Sequence, residues 1–229
     1  MARPTSLTGL FLLISCLLSS GLSAAAGFQA EMVDQQGKPL SNAVVTLQGA
    51  TAQPAYSLQA DMDQRDTEFA PHVLAVHTGT RIRFPNSDNI RHQVYSFSPA
   101  KRFELRLYQG TPADPVLFDK PGIVVLGCNI HDWMLGYVYV TDDPWFAVSD
   151  EKGLIRFDQL PAGHYRVTLW HPQVADGQPR AGGEIAVAAT GLKQRFSLSI
   201  QPLSPDEPTA PAASASGDAV DKTVSETAK

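Results

Sequence analysis

Gly122-Ile123-Val124-Val125-Leu126-Gly127-Cys128-Asn129-Ile130-His131-Asp132-Trp133-Met134-Leu135-Gly136-Tyr137-Val138-Tyr139-Val140 contains two short runs of β-branched, aliphatic and aromatic residues around a polar centre. Such runs suit a pleated, half-buried surface and are too short for helices. The same pattern extends outward in both directions. Val44-Val45-Thr46-Leu47 follows the turn signal Gln36-Gly37-Lys38-Pro39. Ile82/Phe84, Phe103/Leu105/Leu107, Ile155/Phe157, Tyr165/Val167/Leu169, Ile185/Val187 and Phe196/Leu198/Ile200 each alternate with period two. No segment offers an amphipathic helix longer than two turns. The fold class expected is all-β, a sandwich or barrel of short strands joined by Gly/Pro turns.

The centre of the quoted stretch carries the chemistry. Cys128, His131 and Met134 place a thiol, an imidazole and a thioether within seven residues, between two strands. A tight connection there directs all three side chains toward one centre. Soft sulfur and imidazole donors suit copper, and a Cys/His/His set with a weak axial Met is the arrangement used for single-electron transfer. In a mixed sulfur–nitrogen site, affinity favours copper over zinc. The second histidine must come from elsewhere. His92 is the best placed, after Phe84-Pro85-Asn86-Ser87-Asp88 and before Val94-Tyr95-Ser96-Phe97. His72 and His77 are rivals on the far side of the Ile82–Phe84 strand, and His164 and His171 lie in another part of the chain.

Composition limits the alternatives. The chain has 229 residues, a formal net charge of -5, 18% charged residues, 17 Gly, 17 Pro and 2 Cys. A mildly acidic chain lacks the basic face that a nucleic-acid backbone binder needs. Two cysteines build neither a zinc finger nor a four-cysteine cluster. Arg3, the apolar run Leu7–Leu22 and Ala24-Ala25-Ala26 have the pattern of a secretory signal peptide over residues 1–26. Leu13-Ile14-Ser15-Cys16 also fits a lipobox, which would put a lipid anchor on Cys16. Conventional cleavage leaves one cysteine, Cys128, and 17 basic against 23 acidic residues. An internal disulfide is then excluded, and a lone exported thiol is an intermolecular link, an unprotected liability or a metal ligand. No other segment spans a membrane. No nucleotide loop, Gly-x-Ser-x-Gly elbow or His-Glu-x-x-His motif is present. The tail, 202–229, has no aromatic residue and is rich in Pro, Ala, Ser, Thr and acids, and is expected to be disordered.

Residues 55–141 resemble a known family. Phe69-Ala70-Pro71, Val76-His77-Thr78-Gly79-Thr80, Ile82-Arg83-Phe84-Pro85-Asn86-Ser87-Asp88, His92-Gln93-Val94, Pro121-Gly122 and Cys128-x-x-His131-x-x-Met134 are similar to the plastocyanin/azurin family of cupredoxins. The Cys-x-x-His-x-x-Met spacing is of the amicyanin type. The resemblance implies a Greek-key β-sandwich with one type 1 copper near one end. It implies His92, Cys128 and His131 as equatorial ligands and Met134 as the axial one. It also implies electron transfer between a redox protein donor and acceptor, in the periplasm for an exported bacterial chain. The whole chain further resembles periplasmic proteins labelled as methylamine-utilization proteins. The site departs from simple cupredoxins at Asp132, a carboxylate directly after His131, and at Trp133, placed to cover the metal. Arg91, Lys101, Arg102 and Arg106 form a local basic bias, read as a solvated strand edge or as a docking face for an acidic partner.

The flanks suggest a second unit. Gly37 through Leu47, with Ser149-Asp150-Glu151-Lys152-Gly153 and Leu160-Pro161-Ala162-Gly163-His164-Tyr165, resembles a carboxypeptidase-regulatory-like, transthyretin-type β domain. Residues 27–50 and 144–201 would then form one small sandwich, with the cupredoxin domain, 51–143, inserted between them. A simple cupredoxin with extra terminal strands is the competing view. Trp170-His171-Pro172 is expected to close that small sandwich, and His171 is a secondary metal candidate. The function expected is one-electron transfer at copper. A copper carrier or chaperone and a non-redox binding or structural module are the alternatives. No acid–base pair joins the single metal site, so enzymatic turnover is not expected.

Overall fold

The computed structural model describes residues 25–49, 55 and 57–201. The expected signal peptide, apart from Ala25 and Ala26, lies outside the described residues, as do Cys16 and the expected disordered tail. Two strands come first, β1 (Ala25–Asp34) and β2 (Val44–Gly49). The middle of the chain supplies β3 (Gln59–Asp61), β4 (Asp63–Arg65), β5 (Glu68–Ala70), β6 (Val73–His77), β7 (Thr80–Arg83), β8 (His92–Ser98), β9 (Lys101–Tyr108), β10 (Val116–Phe118), β11 (Gly122–Cys128) and β12 (His131–Thr141). The last strands are β13 (Trp145–Val148), β14 (Leu154–Pro161), β15 (Gly163–Trp170), β16 (Arg180–Val187) and β17 (Leu192–Leu198). The described residues contain no helix, so the fold is all-β, as the alternation requires.

The middle strands form a sandwich. A five-stranded sheet, β6-β12-β11-β8-β9, faces a three-stranded sheet, β10-β7-β3. Their inward side chains share one core, which includes Ile82, Phe84, Phe118, Val94, Val124, Leu126, Val138 and Val140. Chain order and spatial order differ: β7 and β10 leave the larger sheet, and β8 and β11 return to it, in the manner of a Greek key. The hairpin β4-β5 forms its own two-stranded sheet and contributes Phe69 to this core.

The two ends of the described chain meet in a second core. β1 lies between β14 and β17, and β2 lies between β13 and β15, with β16 beyond. Phe28, Met32, Leu47, Ile155, Tyr165, Val167 and Phe196 are buried together there. Trp170 does not close this core. It packs instead with Val44, Val73 and Tyr139 in a third cluster that joins the two units, against the outer face of the five-stranded sheet. Its ring lies 5.8 Å from Tyr137 and 5.5 Å from Tyr139, and its Nε1–H donates to the Gly177 carbonyl at 2.9 Å. Burying so large a ring favours the face that offers two more aromatics.

One expected alternation fails. Phe103 and Leu105 are half-buried and pack on the core, but Leu107 is 47% exposed. His92 pairs with Tyr108 and Val94 pairs with Leu105, so β9 carries one extra residue opposite β8. This β-bulge reverses the parity and turns Tyr108, not Leu107, inward.

Candidate metal centre

Strand parity brings most of the site together. Val124, Leu126 and Cys128 are alternate, buried residues of β11, and Cys128 is its last residue. His92, Val94 and Ser96 occupy the buried positions of β8, and Met134, Val138 and Val140 are among those of β12. His131 arrives differently. Cys128 pairs directly with His131 across the turn Asn129-Ile130, while Gly127 pairs with Leu135, so Asp132-Trp133-Met134 is looped out of register. That slip puts the His131 and Cys128 side chains beside each other at the end of the sandwich.

The donor atoms converge. Nδ1 of His92 is 3.9 Å from Cys128 Sγ, and Nδ1 of His131 is 3.8 Å from it. One ligand atom from each of the three residues lies within 4.8 Å of the others. His92 is 0% exposed, Cys128 4% and Met134 1%, and His131 is half-buried. Met134 packs in the same buried cluster as Cys128. The imidazole rings of His92 and His131 are 4.9 Å apart, and the Trp133 ring is 5.3 Å from that of His131. Asp132 is exposed and points charge at solvent rather than into the cluster.

Surrounding polar groups hold the cluster in place. His92 Nε2 is 2.7 Å from Asp88 Oδ2. Burial pushes the Asp88 carboxyl up, but the Thr67 amide, the His92 ring and the Asp66 amide outweigh it, so the group titrates below the ordinary carboxylate range. Burial and the neighbouring His92 lower the His131 imidazole, with Asp88 opposing. A neutral ring is the form that can donate a lone pair. Asn86 Nδ2 donates to the Ile90 and Tyr108 carbonyls at 2.9 and 3.0 Å, fixing the segment that delivers His92. The Tyr108 hydroxyl donates to the Phe84 carbonyl at 2.7 Å and accepts from Gln64. Burial raises its pKa well above the ordinary tyrosine value. At the turn, Asn129 Nδ2 donates to Gln93 Oε1, and Gln93 Nε2 donates to Glu104, both at 2.8 Å. A Cβ on Gly127 would come within 2.7 Å of the Tyr95 ring, which lies over the backbone next to Cys128.

The remaining histidines lie away from this cluster. His72 stands edge-on to Tyr137 with ring centroids 5.3 Å apart, and His77 Nδ1 contacts the Thr78 carbonyl at 2.9 Å. His164 is exposed on β15. His171 does not act as a ligand: its Nε2 donates to the Ser41 carbonyl and its Nδ1 accepts from the Gln173 amide, both at 3.1 Å. Among the described residues, the donors gather only at His92, Cys128 and His131. Arg91, Arg102 and Arg106 are exposed, the last two on the edge strand β9, and Lys101 pairs with Asp119 at 3.6 Å. Sequence reasoning assigned no role to Asp88, Gln64 or Tyr108. A carboxylate four residues before His92 was a legible signal for Asp88; nothing local marks Gln64 and Tyr108.

The residues present bring one thiol and two imidazoles together beside a buried thioether, compatible with a type 1 copper site. No family model matches the chain. No curated protein matches it either. Among solved structures, a purple cupredoxin from Nitrosopumilus maritimus is similar at 20% identity, covering 36% of this chain and 99% of that chain, with a TM-score of 0.33. The reduced Cu(I) form of an amicyanin mutant is similar at 17% identity, covering 42% of this chain and 98% of that one, with a TM-score of 0.33. A copper-containing nitrite reductase from Thermus scotoductus SA-01 is similar at 22% identity, covering 49% of this chain and 28% of its own, with a TM-score of 0.35. Each is a likeness over part of the chain.

Proposed function

We propose that the protein is an exported type 1 copper protein that carries single electrons between a redox protein donor and acceptor in the periplasm, without catalytic turnover of its own. The single observation that carries this reading is that Nδ1 of His92 and Nδ1 of His131 both face Cys128 Sγ at 3.8–3.9 Å, in a buried pocket shared with Met134. Copper bound there would supply a one-electron Cu(II)/Cu(I) couple. Cys128, His92 and His131 would hold it, with Met134 beside them as a further, weaker donor. Burial of His92 and Cys128 keeps water from the donor atoms, and the hydrogen bonds around them limit reorganisation between oxidation states. His131, half-buried at the end of the sandwich, is the ligand nearest solvent.

In this reading residues 51–143 form a cupredoxin domain of the kind the sequence resembles, inserted into a transthyretin-type unit of residues 27–50 and 144–201. The likeness to methylamine-utilization proteins is consistent with an exported carrier.

Titration of the purified apo protein with Cu(II), followed by absorption and EPR spectroscopy, tests the proposal. One equivalent is expected to give an intense thiolate-to-copper band and a small hyperfine splitting. Cys128→Ser should remove both. A wild-type protein with no such band at one equivalent would end the electron-transfer reading. Tight Cu(I) binding with poor Cu(II) retention would instead identify a copper carrier.

A further inference from the structure

Between β7 and β8 lies a carboxylate whose oxygens are both committed. The Asp88 side chain is 14% exposed and four residues before His92. Its Oδ2 faces His92 Nε2 at 2.7 Å and accepts the Thr67 amide at 3.0 Å; its Oδ1 accepts the Asp66 amide at 2.7 Å. Asp66 and Thr67 are the turn residues between β4 and β5, with φ of 56° and 58°. Neither is glycine, so each stands in the left-handed region against the steric preference of its own Cβ. Consecutive amides in such a turn form a concave anion-binding surface, and here Asp88 fills it.

The arrangement has a definite consequence for His92. An ionised carboxylate only accepts hydrogen bonds, so the ring nitrogen facing it carries the proton. In the neutral ring, Nε2–H toward Asp88 leaves the lone pair on Nδ1, the atom that faces Cys128 Sγ. A flipped ring would present a carbon to the carboxylate and lose this bond.

We propose that Asp88, clamped by the amides of the β4-β5 turn, is a positioning residue that fixes His92 as the Nε2–H tautomer and so sets the metal affinity of the site. The affinity half of this proposal rests on the copper-site reading, whereas the tautomer half rests on the protein alone. Partners of this kind orient metal-binding imidazoles, and their loss typically weakens binding by about 10–100-fold.

The two halves are tested separately. Long-range ¹H–¹⁵N correlations of His92 in the apo protein read the tautomer directly, with Nε2 protonated and Nδ1 bare as the expected result. Competition of the protein with a chromophoric Cu(I) chelator reads affinity. Asp88→Ala is expected to mix the tautomers and to weaken Cu(I) binding by about 10–100-fold. Asp88→Asn keeps the shape and one oxygen acceptor, so it should retain the tautomer and lose less affinity. A wild-type His92 protonated at Nδ1 would overturn the proposal whether or not the alanine variant folds. So would an Asp88→Ala protein with the wild-type tautomer and an affinity within about two-fold of wild type. Wild-type protein that shows the expected tautomer but binds no Cu(I) would overturn the affinity half together with the copper reading.

Discussion

His171 shows how a single residue sets a pH limit away from the metal centre. It is 6% exposed, with both ring nitrogens in hydrogen bonds, and burial first, then nearby His72, lower its pKa to about 4 despite its bond to Ser41. His72 is also lowered, chiefly by burial. In the unfolded chain a histidine takes up a proton near pH 6.5, whereas folded His171 resists until about pH 4. The unfolded state therefore binds more protons in that interval, and stability falls as pH falls through it. The loss attributable to His171 is about 3 kcal/mol at its full extent. Urea unfolding at pH 7 and at pH 4.5 should show most of this loss, and His171→Gln should flatten the slope. Equal slopes in the two proteins would assign the acid sensitivity elsewhere.

Two elements carry their own tests. The bulge in β9 exposes Leu107 and keeps Leu105 against the core. Leu107→Ala is expected to change stability by no more than about 0.5 kcal/mol, and Leu105→Ala to cost ~1–2 kcal/mol, as read from denaturant midpoints. Similar costs at both positions would mean that the strand keeps simple alternation. The turn between β13 and β14 is more demanding. Gly153 has φ +73°, and a Cβ there would meet the Met32 carbonyl oxygen at 2.3 Å. That carbonyl belongs to β1, and the Gly153 carbonyl accepts the Met32 amide at 2.7 Å. Gly153→Ala therefore adds backbone strain and forces two strands apart, with an expected cost of at least ~2 kcal/mol in thermal or urea unfolding. The turn motif Ser149-Asp150-x-x-Gly153 was legible because Asp150 Oδ1 accepts the Lys152 and Leu154 amides at 2.9 and 2.8 Å, a local arrangement. The bulge was not legible, because it arises from a mismatch between two strands.

At the scale of the molecule, Trp170 joins two separately packed cores. It is 1% exposed and packs on Tyr137 and Tyr139 from the outer face of the five-stranded sheet. Beside it runs a cleft of about 1560 Å³ lined by residues of both units, among them His72, Trp133, Tyr139 and His171. Trp170→Ala is expected to cost ~3–5 kcal/mol. It should also split one unfolding transition into two in calorimetry, since each unit keeps its own core. A single transition at a slightly lower temperature would show that other contacts carry the coupling. The sequence by itself determined the all-β class, through period-two alternation, and the nearness of a thiol, an imidazole and a thioether at Cys128, His131 and Met134. It also pointed to His92 as the remote candidate, because that residue follows the Ile82–Phe84 strand and a polar turn and precedes the apolar run Val94-Tyr95-Ser96-Phe97. Tertiary structure alone decided that His131 reaches Cys128 through an out-of-register slip and that Asp88 faces His92 while clamped by a distant turn. It likewise decided that Trp170 seals an interface instead of a sandwich. Alternation and motif spacing are written along one strand. Register slips, bulges and contacts between units depend on which strands become neighbours, and that is settled only when the whole chain packs.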